Sequence, residues 1–253
     1  AFLNTNIESI TIPGSVKEIG DFAFNFSIIS YISINSNNKN FEIKDNFFID
    51  KNNKKILAYL DKKTTKVTIP GSVKEIGERA FSGCKNLEEV ILNEGLEKIG
   101  AEAFSNTNIK SITIPGSVKE IGERAFSSCK NLKEVILNEG LEKIGTGAFN
   151  YTNIESITIP GSVKEIGESA FSRCENLKEV ILNEGLEKIG AEAFSNTNIE
   201  SIIIPGSVKE IGESAFSGCW NLKEVIYKGD ASNINWENIG IDKTKIKIIS
   251  SNN

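Results

Sequence analysis

The chain contains no histidine and no methionine, and its 253 residues include only two tryptophans, five prolines and four cysteines. Without histidine, serine–histidine triads and histidine-held metals are excluded. Aspartate is also missing from 65 to 228, which rules out an Asp-rich calcium loop over that stretch. No apolar run approaches the roughly 20 residues that a membrane-spanning helix requires, so no membrane insertion is expected within this sequence. Charge is not gathered by sign: 29 Lys and Arg are interspersed with 34 Asp and Glu, for a net charge of −5. Nucleic-acid binding needs clustered positive charge, and none is expected. Glutamates could serve as acids or bases, but here they recur with the regularity of surface positions. No reaction and no cofactor are expected.

Repetition is what the chain has in abundance. Pro70-Gly71-Ser72-Val73-Lys74-Glu75-Ile76-Gly77 recurs at 13–20, 115–122, 160–167 and 205–212. A sister phrase, Asn93-Glu94-Gly95-Leu96-Glu97-Lys98-Ile99-Gly100, recurs at 138–145 and 183–190. The dipeptide Ala-Phe marks the phase. From Phe81 to Phe216 its spacing alternates between 23 and 22 residues, so the unit is a 45-residue pair of unequal turns. A period near 22 residues implies a stacked array in which no turn buries a core alone.

Within a turn, Leu87, Val90 and Leu92, or Ile109, Ile112 and Ile114, follow L-x-x-V-x-L, whose alternating end predicts a half-buried strand. Proline ends the strand and glycine permits a corner. Val73 and Ile76 face inward on the next side, and the Ala-Phe segment closes the turn as a short 3₁₀ or one-turn helix. The phenylalanines form an internal spine, each ring contributing about 1.5–3 kcal/mol by burial. Asparagines that directly precede the strands, such as Asn86, Asn108 and Asn153, satisfy backbone groups left open at a sharp corner. Cys84, Cys129, Cys174 and Cys219 lie 45 residues apart. Two strand spacings separate neighbours by about 10 Å, and a disulfide needs Cα atoms within about 7 Å, so all four are expected as free, buried thiols.

The rhythm breaks once. Phe24 and Phe81 are 57 residues apart, with an extra segment of about 35–63. In it Asn46–Asp50 and Lys55–Tyr59 flank the polar Lys51-Asn52-Asn53-Lys54, a hairpin signal. The pattern also fades after Tyr227. Trp236 stands in a helix-like stretch before the strand-like Lys245–Ile249, which together would cover the open end of the array. The organisation expected is one continuous solenoid: N-terminal repeats 1–34, a hairpin insertion 35–63, a regular array 64–229 and a C-terminal cap 230–253. The start falls inside a repeat, and the chain is read as a piece of a longer protein whose signal and anchor, if any, lie outside it.

The phrase L-x-x-I-x-I-P-x-x-V-x-x-I-G-x-x-A-F-x-x-C, in about nine copies over nearly the whole chain, resembles the BspA-like, treponemal-type leucine-rich repeats of microbial surface proteins. The resemblance implies a mainly β fold: a right-handed leucine-rich-repeat solenoid with a parallel sheet on the concave face and short strands and 3₁₀ turns on the convex side. It further implies a secreted or surface-displayed protein that adheres to host, matrix or other microbial proteins, with no catalytic motif to carry over.

Partners of such repeats dock on the concave face. Its outward positions should be Tyr31, Glu89, Ile91, Ser111, Thr113, Glu134, Ile136, Ser156, Thr158, Glu179, Ile181, Ser201, Ile203, Glu224 and Ile226, preceded by Ser9, Thr11 and Ser33. They form an acidic and apolar stripe suited to a protein partner, although β-branched residues are also simply good strand formers. Departures between copies carry more information. Tyr151 replaces Asn106 and Asn196, and Trp220 replaces Lys85, Lys130 and Glu175. Exposed aromatics anchor interfaces, but Trp220 adjoins the cap and is read as packing on it. Phe41, Phe47, Phe48 and Tyr59 of the hairpin either protrude for binding or fold back on the solenoid. Finally, Lys74-Glu75 faces Glu97-Lys98, then Lys119-Glu120, then Glu142-Lys143, a checkerboard that favours alternating turns. Two functions remain open: a protein-binding module, or a spacer with no ligand of its own.

Overall fold

The computed structural model describes residues 8–20, 23 and 31–249. Phe2, Phe24 and Ile29, expected in the spine and first strands, lie outside them. Among the described residues the chain is a leucine-rich-repeat β-solenoid of about 10 turns with parallel stacked strands and no α-helix.

Each regular turn supplies one longer and one very short strand. Ser111–Ile114, Glu134–Leu137, Ser156–Ile159, Glu179–Leu182 and Ser201–Ile204 all alternate exposed and buried residues, as the L-x-x-V-x-L pattern requires. The two-residue strands, such as Lys98–Ile99, Glu120–Ile121 and Lys143–Ile144, bury their isoleucines and pair in parallel with both neighbours. They form one unbroken sheet of 10 strands that ends in the hairpin.

The longer strands behave differently. Ser111–Ile114 pairs with Glu134–Leu137, Ser156–Ile159 with Glu179–Leu182, and Ser201–Ile204 with Glu224–Tyr227. No ladder joins Glu134–Leu137 to Ser156–Ile159, or Glu179–Leu182 to Ser201–Ile204. Pairing is thus complete within each 45-residue pair and weaker between pairs. At the first such junction a single position is paired, Glu89 with Ser111. At the next two there is no ladder, and backbone hydrogen bonds just ahead of the strands, such as Glu155 N–H to the Lys133 carbonyl, still join the turns.

The third side holds the spine. Rings from Phe81 to Phe216 stack at 4.9 to 5.6 Å. The Ala-Phe segment is a run of single turns rather than the expected 3₁₀ or α-helical turn. Left-handed residues bracket it in every repeat, as at Arg79 and Gly83, Glu102 and Asn106, or Ser169 and Arg173. A left-handed residue every fourth position prevents a right-handed helix from propagating. In exchange, alternate N–H groups point along the array: Arg79, Phe81 and Gly83 donate to the carbonyls of Ala101, Ala103 and Ser105 in the next turn.

Asparagine side chains complete the corners as expected. Asn86, Asn108, Asn153 and Asn198 donate to the carbonyls of Lys62, Lys85, Lys130 and Glu175 one turn back. The four cysteines are free and buried. Cys129, Cys174 and Cys219 donate to the carbonyls of Phe104, Phe149 and Phe194 and meet the hydroxyls of Thr107, Thr152 and Thr197. Burial pushes these thiols up, Cys174 to about 11.

The hairpin is present and belongs to the solenoid. Phe47–Asp50 pairs antiparallel with both Phe41–Lys44 and Lys55–Tyr59, and Lys55–Tyr59 then runs parallel to Glu75–Ile76. Ile56 continues the short-strand isoleucines, and the Tyr59 ring stacks on Phe81 at 5.1 Å. Tyr59 stands 22 residues before Phe81, so Ala58-Tyr59 is an Ala-Phe equivalent within the irregular segment. Phe47 and Tyr59 enter the main core, while Phe41 and Phe48 cluster with Ile12 and Ile32.

At the other end, Trp236 lies outside any helix. It packs on Tyr227 at 5.3 Å and donates to the carbonyl of Ala231. The helical pieces are two 3₁₀ turns, Ala231–Asn233 and Lys243–Lys245, capped by Asp230 and Asp242. Hydrogen bonds from Ser232 and Thr244 to these carboxylates hold both below the usual range. Ile246–Ile248 pairs with Glu224–Tyr227, and the carbonyls of Asn238 and Ile239 accept from Ser214 and Phe216. Residues 238–248 thus make the strand and backbone contacts that a following turn makes elsewhere in the array.

The charge checkerboard forms in register. In the short-strand ladder Lys98 stands opposite Glu75 and Glu120, and Lys143 opposite Glu120 and Glu165. Lys74 to Glu97 is 2.9 Å, Lys119 to Glu142 is 3.3 Å and Lys188 to Glu210 is 2.9 Å. Exchanging the order of one turn, Glu97→Lys with Lys98→Glu, sets like charges against both neighbours. The melting temperature is expected to fall by a few degrees at low salt, with the difference shrinking at about 1 M salt as screening removes it. An unchanged melting temperature at low salt would show that the pattern does not set register.

Candidate protein-binding face

The outward positions of the longer strands share one face. Isoleucines that the strand alternation turns away from the core are left 42% exposed at Ile91, 45% at Ile136 and Ile181, and 47% at Ile203, while Ile226 is half-buried. Thr113 and Thr158 separate the first three, so the row is apolar at every second turn, and at Ile203 the apolar side chain also occupies the intervening turn. Two residues earlier runs a second row in which Glu89, Glu134, Glu179 and Glu224 alternate with the exposed Ser111, Ser156 and Ser201. Tyr31, Ser9 and Thr11 are exposed on the strands of the first turns, where Thr11 meets Ser33 at 2.7 Å.

Charge on this face is unevenly compensated. One residue before each strand, Glu88 pairs with Lys110 at 2.5 Å, Lys133 with Glu155 at 3.7 Å and Glu200 with Lys223 at 3.0 Å. In the glutamate row only the end members are neutralised, Glu89 by Lys66 at 2.7 Å and Glu224 by Lys247. Glu134 and Glu179, facing serines, carry no ion pair. A shallow hollow lies at the unladdered junction between Glu134–Leu137 and Ser156–Ile159, lined by 133–137 and 155–158 and so bordered by Glu134 but not by Glu179. Sequence reading did not find it, because no residue type signals a missing ladder.

Of the two aromatic departures, Trp220 borders a small hollow with Gly240, Ile241, Asp242 and Lys245 of the C-terminal segment but is left 87% exposed rather than covered by it. Its backbone follows a turn closed by the Trp220 N–H on the Gly218 carbonyl, which directs the ring outward. Tyr151 occupies a left-handed position, φ 59°, where other copies have asparagine, and Arg173 lies 5.4 Å over its ring. It is half exposed. Both sit on the side of the Ala-Phe turns, apart from the long-strand face. The hairpin aromatics are buried, which removes them as a protruding site. Among the described residues no group of three His, Cys, Asp or Glu could hold a metal, and no helix is long and apolar enough to cross a membrane.

The model of the BspA type leucine-rich repeat region matches the chain at residues 1–59, 54–176 and 143–252, with 6 copies. The chain belongs to that family. Among solved structures, a leucine-rich repeat protein from Eubacterium ventriosum is 27% identical with a TM-score of 0.73, covering 85% of this chain and 59% of its own. One from Bacteroides ovatus is 29% identical with a TM-score of 0.57, covering 78% of this BspA-type chain and 55% of its own. The chain thus spans a little over half the length of either structure. No curated protein matches. BspA-type membership makes this a leucine-rich repeat module of a kind suited to protein interaction or display.

Proposed function

We propose that this BspA-type chain is a non-catalytic protein-binding module of a secreted or surface-displayed microbial protein, and that it adheres to host, matrix or microbial proteins through its long-strand face. The observation that supports this is the juxtaposition of exposed Ile136 and Ile181 with Glu134 and Glu179, which form no ion pair although Glu89 and Glu224 at the ends of the same row do. Within this row the end members Glu89 and Glu224 are each met by a lysine, so the middle of the row joins unmet acidic groups to exposed apolar side chains, a combination with capacity for a partner.

Ile136→Lys combined with Ile181→Lys is expected to weaken capture of a matrix or microbial surface protein at least tenfold, about 1.4 kcal/mol, with the melting temperature unchanged because both side chains already face solvent. A screen of immobilised matrix proteins against both forms checks this. Binding that survives both substitutions would move the interface to another side of the solenoid. No binding by either form would favour a spacer.

A further inference from the structure

Where the hairpin interrupts the repeat, it also interrupts the exchange of charge between turns. In the regular array a lysine stands opposite glutamates, as Lys98 does with Glu75 and Glu120. The first ladder has an offset of 22 residues, from Ser9 to Tyr31. The same offset carries Lys17 to Lys39 and Glu18 to Asn40, so a lysine answers a lysine. Both lysines are exposed, and both line one hollow of about 560 Å³ that they share with Asn37, Asn40, Asn52 and Asn53. Like charges set against each other are unfavourable until an anion comes between them.

The surroundings leave these cations unbalanced. The insertion 35–63 holds seven lysines and seven asparagines against four acidic residues, in a chain of net charge −5. Lys55 is met by Glu75, but among the described residues Lys17, Lys39, Lys51 and Lys54 form no ion pair. Glu18 is the one carboxylate lining the hollow. Asp50 is buried and accepts from the backbone of Asn52 and Asn53 and from the Asn53 amide. Asn52 donates to Asn40, which donates to the Val16 carbonyl, and this chain of bonds fixes one wall. Asn37 lies over Gly14, where a Cβ would overlap its Oδ1 at 1.7 Å. Glycine at that place makes room for the amide.

The lining decides which kind of anion fits. It contains no aromatic ring and no apolar side chain. Nucleic-acid bases therefore have nothing to stack on, and a protein partner would lack the aromatic anchors that carry interface energy. Lysines supply charge, while asparagine amides both donate and accept, as a sugar ring bearing hydroxyls and oxyanions requires. We propose that this hollow binds an acidic polysaccharide. Its sulfate or carboxylate sits between Lys17 and Lys39, and its hydroxyls meet Asn37, Asn52 and Asn53. The site shares no residue with the long-strand face and does not rest on protein binding there.

Calorimetric titration at about 0.15 M salt tests this with four probes: a heparin hexasaccharide, a hexagalacturonate that carries carboxylates alone, neutral dextran, and a single-stranded oligonucleotide of matched charge. One or both acidic sugars are expected to bind about tenfold more tightly than the oligonucleotide, and the stronger of them identifies the anion. Dextran should not bind. Lys17→Gln with Lys39→Gln should weaken sugar binding about tenfold without lowering the melting temperature, because both side chains are exposed and repel each other. Asn37→Ala, which leaves the charge unchanged, should weaken it about threefold through the lost hydrogen bond. Equal binding of sugars and oligonucleotide with Asn37→Ala harmless would mean undirected charge attraction. Sugar binding that survives loss of both lysines, or no binding by either acidic sugar, would mean that the hollow is not the site. Each of these results overturns the proposal.

Discussion

Phe149→Ala is expected to lower the unfolding free energy by about 3–5 kcal/mol, the range for a fully buried phenylalanine. The ring is wholly buried and stacks on Phe126 at 5.2 Å and on Phe171 at 5.4 Å, with interplanar angles of 3° and 9°. Its removal opens a void in the middle of the spine that the flanking backbone, tied by Phe149 and Tyr151 N–H groups to Ala170 and Ser172, cannot close. In a one-dimensional array the damage stays near its origin. The halves on either side should then unfold separately. Both tryptophans, Trp220 and Trp236, lie in the C-terminal half, so fluorescence follows that half and far-ultraviolet circular dichroism follows the whole chain. The two urea curves should coincide in the unsubstituted protein and diverge in Phe149→Ala. Coincident curves with a loss below 1 kcal/mol would mean that the spine is not what couples the turns.

The second large effect comes from a residue with no side chain. Gly145→Ala is expected to cost about 3 kcal/mol, the upper part of the overpacking range. A Cβ there would lie 2.7 Å from both the Gly122 carbonyl carbon and the Ile121 oxygen, and 2.8 Å from the Glu123 nitrogen. All three are backbone atoms of the preceding turn, so no flexible side chain can yield. Gly100, Gly122, Gly167 and Gly190 face the same contact. Gly71 is the second residue of the eight-residue phrase that Gly77 closes, yet a Cβ on it would meet nothing within 4 Å. Gly71→Ala should therefore change stability by no more than about 0.5 kcal/mol, as surface substitutions do. Thermal denaturation of the two single variants measures the contrast, and equal losses would refute the close-approach argument.

How much of this was legible depends on whether a feature is carried by residue type. Strand alternation, the phenylalanine spine, the free thiols and the charge checkerboard all follow from aligning near-identical turns, because stacking sets each residue against its own counterpart. The left-handed positions do not follow. Arg79, Glu102, Gly147 and Ser169 occupy equivalent places, and such mixed occupants conceal a backbone requirement that rules out a helix there. Tyr59 was hidden by one hydroxyl group, although its distance from Phe81 announced its place. The outward isoleucines and glutamates of the candidate face were readable. What set Glu134 and Glu179 apart was not, since it depends on Lys66 and Lys247 reaching only the ends of the row. Proximity in the chain points Trp220 to the C-terminal segment, whereas its ring is left facing solvent.

The alternation between fully and weakly paired junctions also bears on how such a chain can change length. Losing or gaining one turn of 22 or 23 residues would bring two strands of the same type together and set Lys against Lys and Glu against Glu along the short-strand sheet. Losing or gaining 45 residues restores every neighbour: ladder to ladder, lysine to glutamate, thiol to threonine. Unequal recombination between copies is therefore filtered by the fold itself, and viable relatives should differ in length by even numbers of turns.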